Sequence, residues 1–194
     1  METLSNIDSK LFLFLNNLHV GWMDRVMTLI TDMWVWLPLY LLLLYWIVKS
    51  YGRRWWWIFL AVCVVVLCSD QLSSHVCKPI FQRLRPCHNA AFQDLIHLPK
   101  GKAGGQYGFV SSHAANTFSI AVFLIMALRK FRPWPAILLI VWAFLSSYSR
   151  IYIGYHYPGD IFCGTLLGIL VGIILWKVFQ NVILKKALPS EQGS

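Results

Sequence analysis

Three short polar blocks in this otherwise apolar chain contain the residue types that phosphate chemistry requires. Their cations, histidines, serines and single carboxylate are Lys78, Arg85, Ser111, Ser112, His113, Ser149, Arg150, His156 and Asp160. Ionisable side chains beside apolar spans are costly and usually functional. The blocks therefore predict a site in which cations bind a phosphate group, one histidine acts as general acid, and a second histidine, oriented by the carboxylate, acts as nucleophile.

The first block suits a dianionic phosphate because it brings two cations together. Lys78 and Arg85 are seven residues apart, or two helical turns, so a continuous helix would place them on one face. Pro79 and Pro86 leave the local backbone geometry open. Arginine adds planar, bidentate hydrogen-bond donors. Either cation alone is equally consistent with a positive side chain snorkelling to a membrane edge, whereas the pair within the full pattern favours phosphate binding.

The second block directly precedes an apolar segment, so it predicts the start of a helix. Serine is a favoured N-cap residue, and a helix N-terminus offers free backbone N–H groups and the positive end of its dipole to an anion. Ser111 and Ser112 are therefore candidate phosphate ligands, and His113 is placed to protonate a leaving oxygen. Without the other two blocks, simple capping beside a surface histidine would be favoured.

The third block combines a histidine with a carboxylate at the start of the last apolar segment. Pro158 suits the first turn of a helix, which places Asp160 one or two positions later and His156 just outside. A carboxylate there can accept a hydrogen bond from one imidazole nitrogen and leave the other free to attack phosphorus. Arg150 would bind the phosphate, and Ser149 would hydrogen-bond nearby. The alternative is a capping aspartate beside an interfacial histidine.

The order and spacing of the blocks resemble the type 2 phosphatidic acid phosphatase family, the metal-independent membrane lipid phosphatases that share their site with vanadium haloperoxidases. The patterns K-x6-R-P and S-R-x5-H-x3-D match at every defined position, and the resemblance covers roughly Lys78 to Asp160. In the P-S-G-H block between them, this chain keeps Ser111 and His113 but has Val110 and Ser112 where the family has proline and glycine.

The resemblance implies a phosphatase that needs no metal or other cofactor. His156, held by Asp160, would attack phosphorus to form a phosphohistidine, and His113 would protonate the leaving lipid oxygen. The phosphate would be held by three cations and the start of the following helix: Lys78, Arg85, Arg150 and the Ser111 region. The sequence itself also offers no metal site, since it has no Cys-x-x-Cys, His-Glu-x-x-His or acidic cluster.

The composition indicates one all-α integral membrane domain over residues 1–194. The chain is 58% hydrophobic and 13% charged, with a mean hydropathy of +0.58. Five apolar stretches approach the length of a membrane-spanning helix: Met33–Val48, Trp55–Leu72, Ala114–Leu128, Trp134–Tyr148 and Ile161–Val178. These predict a transmembrane core over 33–178 and a cytoplasmic tail over 179–194. Polar residues interrupt Lys10–Thr31, which predicts an interfacial amphipathic helix within an N-terminal segment over 1–32.

Basic residues between the spans predict which side of the membrane the site faces. They form clusters after the first, third and fifth spans: Lys49, Arg53 and Arg54; Arg129, Lys130 and Arg132; and Lys177, Lys185 and Lys186. The positive-inside rule places these clusters in the cytoplasm. All three polar blocks then lie at the opposite, periplasmic or extracellular, face of the plasma membrane.

The expected partner is a phosphorylated membrane lipid. A formal net charge of +9 does not indicate nucleic acid here, because the basic clusters are short and alternate with apolar runs. The motifs do not separate undecaprenyl diphosphate, lipid A, phosphatidylglycerol phosphate and phosphatidate; the outward site and short loops favour the first two. A non-catalytic head-group binding protein or transporter is disfavoured by the His156–Asp160 pair, and a rhomboid-like protease by the absence of Gly-x-Ser-x-Gly. The sequence leaves the oligomeric state open.

Some residues outside the blocks give weaker signals. Asp70, near the end of the second span, is interpreted as structural rather than as the partner of a motif cation. The stretch Gly101–Gly108 predicts a flexible loop or lid. Gly168 and Gly172 permit close helix packing or are simply tolerated, and Cys77 and Cys87 leave a disulfide open. The remaining acids fall in termini or interfacial loops and carry no functional signal: Glu2, Asp8, Asp24, Asp32, Asp94 and Glu191.

Overall fold

The computed structural model describes residues 2–102, 105–129 and 134–184, and these ranges are mostly helical. The α-helices are α1 (Glu2–Asn17), α2 (Gly21–Ile30), α3 (Leu37–Tyr51), α4 (Trp55–Asp70), α5 (Lys78–Phe81), α6 (Ser112–Leu128), α7 (Pro135–Tyr152) and α8 (Pro158–Phe179). A π-helical stretch, Gln71–Cys77, joins α4 to α5, and another, Gln180–Leu184, extends α8. In the described ranges one isolated bridge, Leu84 to Tyr107, occurs and no strand. The all-α prediction is confirmed.

The apolar helices make this a multi-pass membrane protein. Three segments are long and apolar enough to cross a membrane, Met33–Phe81, Pro135–Tyr152 and Pro158–Val182, and the shorter Ser112–Leu128 is also apolar. The first segment contains both α3 and α4, which separate at Gly52, where φ is +53°, a value that glycine adopts without strain. The five predicted spans therefore correspond to α3, α4, α6, α7 and α8.

Helix ends differ from the predicted span ends because polar residues beside the apolar stretches are also helical. The second span continues through the π-helical stretch to Phe81, well past the predicted end at Leu72. The last one begins at Pro158, three residues before the predicted start. Part of the predicted basic clusters and most of the predicted tail lie outside the described residues: Lys130, Arg132, Lys185, Lys186 and the rest of 185–194.

The backbones of α6 and α8 are in close contact. α6 packs against α4, α7 and α8. Three glycines of α8, spaced four residues apart, face α6: Gly164, Gly168 and Gly172. A Cβ added at Gly164 would lie 2.6 Å from the carbonyl oxygen of Ser111, and one at Gly172 would lie 2.8 Å from that of Ser119. The close packing that Gly168 and Gly172 permit is present, and it extends one turn further toward the polar blocks.

The N-terminal segment forms two helices rather than one. α1 exposes an apolar stripe at every third or fourth residue: Leu4, Ile7, Leu11 and Phe14. Its opposite face contains Asp8, Phe12 and Asn16, of which Phe12 and Asn16 are fully buried. The amphipathic pattern is confirmed, but Asn16, one of the polar residues that interrupts it, faces the protein instead of water.

Candidate active site

The three polar blocks meet at one end of the helical bundle, where hydrogen bonds join them. Lys78 Nζ donates to Ser112 Oγ at 2.7 Å, which connects the first block to the second. The backbone N–H of Ser111 donates to the carbonyl oxygen of Asp160 at 3.1 Å, which connects the second to the third. Ser111 is also the N-cap of α6, as predicted, and accepts from the N–H of Ala114. The blocks therefore form one site although they lie far apart in the sequence.

The start of α8 positions the histidine and the carboxylate of the third block. Tyr157 is the N-cap, Pro158 is the first helical residue and Asp160 is the third, as the local sequence predicts. Asp160 Oδ2 accepts a hydrogen bond from the Tyr157 N–H at 3.0 Å and lies 3.5 Å from His156 Nδ1. This second distance exceeds that of a normal hydrogen bond. Because the carboxylate faces Nδ1, Nε2 is the nitrogen directed away from it.

Burial controls the charge of His156. Its side chain is 2% exposed. Desolvation lowers the pKa of His156 to about 4; the carboxylate of Asp160 opposes that shift, and the charges of Arg150 and Arg85 reinforce it. At neutral pH the imidazole is therefore uncharged and has a lone pair, which a nucleophile requires.

The predicted glycine-rich loop forms a wall of the site. The N–H of Gly108 donates to the carbonyl of Arg83 at 2.8 Å, and Arg85 Nε donates to the carbonyl of Tyr107 at 3.1 Å. A Cβ at Gly108 would lie 3.0 Å from Asp160 Oδ2, 3.1 Å from Arg85 Cγ and 3.5 Å from His156 Nδ1. Residues 105–108 are thus bonded to the first block, and a side chain at position 108 would require Asp160 and Arg85 to shift. The expected lid position 103–104 lies outside the described residues.

Ser112 stands where the family pattern has glycine, and its hydroxyl binds the lysine of the first block. Besides Lys78, Ser112 Oγ contacts Ser74 Oγ at 2.9 Å. Ser74 also hydrogen-bonds to Asp70 Oδ1 at 3.3 Å, and Asn116 donates to the same oxygen at 3.4 Å. Asp70 therefore hydrogen-bonds to Ser74 and Asn116 rather than to Lys78.

Among the described residues, His113 Nε2 and Arg150 Nε are buried without a hydrogen-bond partner. Arg150 Nη1 donates to Thr31 Oγ1 at 2.8 Å, and its guanidinium lies 4.9 Å from the ring centre of Tyr155. Buried polar groups without a partner are rare in folded proteins. An anion in the site would give both groups one. Ser149 Oγ, by contrast, donates to the carbonyl of Ser146 in its own helix at 2.7 Å, so the expected hydrogen bond to the site is not formed.

A cavity of about 360 Å³ opens beside the first block. Lys78 and Arg85 line it together with Gln82 and Gln106. Two other cavities, of about 240 and 330 Å³, lie between the apolar helices and are lined by hydrophobic side chains and single Trp or Tyr rings. A fourth cavity, of about 580 Å³, contains a single arginine beside the carboxylate of Asp24. Among these cavities, the one with two cations and no carboxylate is best suited to a phosphate group.

Two residues of the site had no predicted role. Arg83 Nη1 donates to Asp160 Oδ1 at 2.8 Å, and its Nη2 donates to Asp8 Oδ2 at 2.7 Å. Asp8, which carries no signal in the sequence, is therefore connected to Asp160 through Arg83. Arg83 lies within the first block, two residues before Arg85, so its position was a usable signal. Asp8 gave none, because its partner is 75 residues away in the sequence.

The described residues contain neither a disulfide nor a cluster of metal-binding side chains. Cys77 and Cys87 are both free thiols, so the disulfide left open by the sequence is not formed. In the described part of the chain, no three His, Cys, Asp or Glu side chains are grouped as a metal site would require.

An all-helical membrane bundle with cations, two histidines and a carboxylate gathered at one end defines a membrane phosphatase that acts on lipids. Comparison with known proteins gives the family. Residues 54–184 match the PAP2 superfamily, and the chain belongs to that superfamily. The resemblance to the type 2 phosphatidic acid phosphatases is confirmed.

Relatives and a solved structure agree with this assignment. The chain is 38% identical to the lipid A 4'-phosphatase of Bacteroides thetaiotaomicron, over 94% of this chain and 81% of that one. It is 36% identical to the lipid A 4'-phosphatase of Porphyromonas gingivalis, over 92% of this chain and 75% of that one. The crystal structure of a PAP2-type phosphatidylglycerolphosphate phosphatase from Bacillus subtilis has the same fold, with a TM-score of 0.69 and 21% identity, covering 94% of this chain and 89% of that one.

Proposed function

We propose that this chain removes a phosphate group from a lipid A-type glycolipid at the outer face of the plasma membrane, through a phosphohistidine intermediate. The observation that supports the chemistry is the direct hydrogen bonding of the three polar blocks around His156. The substrate is supported by the two lipid A 4'-phosphatases, which align with more than nine-tenths of this chain.

Positioning and charge supply most of the rate enhancement in phosphoryl transfer. In the proposed complex, the phosphate oxygens are bound by Lys78, Arg85 and Arg150. Ser112 holds the ammonium group of Lys78, and the free backbone N–H groups at the start of α6, after Ser111, complete the phosphate site. These cations neutralise the phosphate, so the reaction is proposed to proceed without a metal or another cofactor.

The proposed reaction has two steps. In the first, His156 Nε2 attacks phosphorus, the bond from phosphorus to the lipid oxygen breaks, and protonated His113 transfers its proton to that oxygen. Asp160 stabilises the positive charge that develops on the imidazole of His156. In the second, neutral His113 accepts a proton from water, the resulting hydroxide attacks phosphorus, and the nitrogen–phosphorus bond breaks. Inorganic phosphate leaves, and both histidines return to their starting states.

The test is turnover and phosphoenzyme trapping with the purified full chain in detergent. We expect His156→Ala to lose at least about 10³-fold in turnover and to trap no acid-labile phosphate from a 32P-labelled substrate. His113→Ala is expected to lose about 10²- to 10⁴-fold. His75→Ala is the matched control, because His75 is an exposed histidine at the same end of the bundle. Near-normal phosphate release by His156→Ala would contradict the histidine nucleophile.

The same assay separates the substrates and the alternative function. Lipid A should be hydrolysed with at least about tenfold higher kcat/KM than undecaprenyl diphosphate, phosphatidylglycerol phosphate or phosphatidate, a discrimination of about 1.4 kcal/mol. A reversed order would reassign the substrate without affecting the mechanism. Binding of these lipids by the wild type with no phosphate released from any would favour a head-group binding protein or transporter.

The side of the membrane is tested by labelling single cysteines in a variant without the native ones. Lys102 and Arg53 are both exposed and lie toward opposite ends of the bundle. We expect Lys102→Cys to react with an impermeant thiol reagent in spheroplasts, and Arg53→Cys to react only after permeabilisation, because Arg53 belongs to a basic cluster. The opposite pattern would move the site to the cytoplasmic face.

A further inference from the structure

A chain of ion pairs connects α1 to the carboxylate beside His156. The two ends of the Arg83 guanidinium bind different acids, Asp160 at 2.8 Å and Asp8 at 2.7 Å. The Asp160 side chain is fully buried, and those of Arg83 and Asp8 are 26% and 16% exposed. Charge-assisted hydrogen bonds from a planar guanidinium are strong and directional. Arg83 therefore fixes both carboxylates relative to each other.

Both oxygens of Asp160 are held by the residues around them. Oδ1 accepts from Arg83, and Oδ2 accepts from the backbone N–H of Tyr157. The guanidinium also lies 4.0 Å from the ring centre of Tyr157, which limits its movement. With these contacts in place, Oδ2 is the oxygen that faces His156 Nδ1. The orientation of Asp160 toward the histidine thus depends on Arg83.

Asp8 is fixed in turn by α8 and by the rest of α1. Its Oδ1 accepts from the N–H of Gly159 at 2.8 Å, in the first turn of α8, where a negative charge is favourable. Phe12, one turn later on the same face of α1, packs edge-on against Tyr157 with ring centres 5.4 Å apart. α1 lies outside residues 54–184, the part that matches the superfamily.

We propose that Asp8 and Arg83 are positioning residues for the reaction, which hold Asp160 in the orientation that the His156 nucleophile requires. This rests on the proposed function, because it assumes that His156 attacks phosphorus. Both residues act through Asp160 in this proposal, not on the substrate. Arg83 shares the charge of Asp160 and limits how strongly that carboxylate stabilises protonated His156. Asp8 partly neutralises the charge of Arg83. The pair therefore affects how readily His156 is protonated as well as how it is oriented.

The acid limb of the kcat/KM–pH profile is the range in which kcat/KM rises as His156 loses its proton. The proposal predicts that substitutions of Arg83 and Asp8 displace this limb in opposite directions. Arg83→Gln removes a positive charge and leaves Asp160 free to stabilise protonated His156, so the limb should move to higher pH by about one unit. Asp8→Asn removes a negative charge behind Arg83, so the limb should move to lower pH by a smaller amount. The other groups whose charges act on His156 are unchanged in both variants: Arg150, Arg85, His113 and Asp160 itself.

The measurement is kcat/KM from pH 3 to 8 with the same lipid substrate throughout, so that titration of the substrate phosphate is common to all variants. Asp24→Asn is the matched control, since Asp24 is another acid of the N-terminal segment but pairs with His97 and Tyr152. It should lower thermal stability without displacing the limb. Asp8→Glu and Arg83→Lys, which keep the charges, should restore the wild-type limb with partial activity.

The outcomes separate this inference from the proposed function. Opposite displacements in Arg83→Gln and Asp8→Asn, with Asp24→Asn at the wild-type position, support it. Lower activity with unmoved limbs would mean that the ion pairs only stabilise the fold, and would overturn it. Should Arg83→Gln fail to fold, the sign of the Asp8→Asn displacement alone decides. Normal turnover by His156→Ala would instead contradict the histidine nucleophile on which the proposed function depends.

Discussion

α8 and α1 both hold the segment that contains His156, but they use different kinds of contact. α8 is fixed by its backbone, which touches that of α6 where Gly164 faces the carbonyl of Ser111. α1 is fixed by side chains on one face: Asp8 binds Gly159, Phe12 packs on Tyr157, and Asn16 hydrogen-bonds to the end of α7. One contact depends on the absence of side chains, whereas the other depends on the identity of a few.

This difference determines how strongly a substitution weakens each contact. Two backbones in van der Waals contact cannot separate at one point without moving both helices, because protein interiors are packed as densely as crystals. Hydrogen bonds from a side chain are individually worth only about 1 kcal/mol net, and water can replace some of them. We therefore expect substitutions at the α6–α8 contact to have larger effects than substitutions on α1.

A large effect is expected for Gly164→Ala, at the end of this contact nearest the site. The added methyl group would lie 2.6 Å from the Ser111 carbonyl oxygen, a backbone atom that cannot rotate away. We expect the free energy of unfolding to fall by about 3 kcal/mol, and turnover to fall as well, because the same movement displaces the N-cap beside His113. Thermal unfolding in detergent with parallel turnover measures both.

Gly21→Ala is the control for this substitution. A Cβ at Gly21 meets no atom within 4 Å, so the same change of residue is made in open space at the start of α2. Its stability should be unchanged or slightly higher, since alanine favours helices. Wild-type stability for Gly164→Ala would show that α6 and α8 can separate freely, and the contrast between the two regions would disappear.

The sequence predicts the α8 side of this comparison better than the α1 side. Proline in the first helical turn, an aspartate two residues later and serine as N-cap are local rules, and they correctly place Pro158, Asp160 and Ser111 in the structure. Glycines four residues apart likewise indicate a close contact. Each of these signals is contained within a few neighbouring residues.

The contacts of the N-terminal acids have no local signal. Asp8 pairs with Arg83 across 75 residues, Asp24 accepts from the Tyr152 hydroxyl across 128, and Asp32 pairs with Lys100 across 68. A single acidic residue near an apolar stretch is equally compatible with water and with a distant cation. The roles of these acids therefore follow only from the tertiary structure, and so does the division of the segment into two helices.

A smaller effect is expected for Asn16→Ala, which tests the α1 side. The Asn16 amide donates to the carbonyls of Tyr152 at 2.7 Å and Ile151 at 3.3 Å, and its oxygen accepts from the N–H of His97 at 2.7 Å. Alanine would leave the Tyr152 carbonyl and the His97 N–H without this partner, which costs about 1–3 kcal/mol, whereas the Ile151 carbonyl keeps the N–H of Gly154. We expect about 2 kcal/mol here, less than for Gly164→Ala, because water can enter the space that the amide leaves.

Asn17→Ala is the control, since Asn17 is the next residue of α1 and is exposed. Thermal unfolding in detergent should place Asn17→Ala within about 0.5 kcal/mol of the wild type. Turnover by Asn16→Ala should fall only severalfold, because Ile151 and Tyr152 lie at the end of α7, before the loop that contains His156. Equal stability of the two variants would mean that α1 is fixed by Asp8 and Phe12 alone. A loss larger than that of Gly164→Ala would reverse the ranking, and would make the N-terminal helix the more rigid of the two supports of the site.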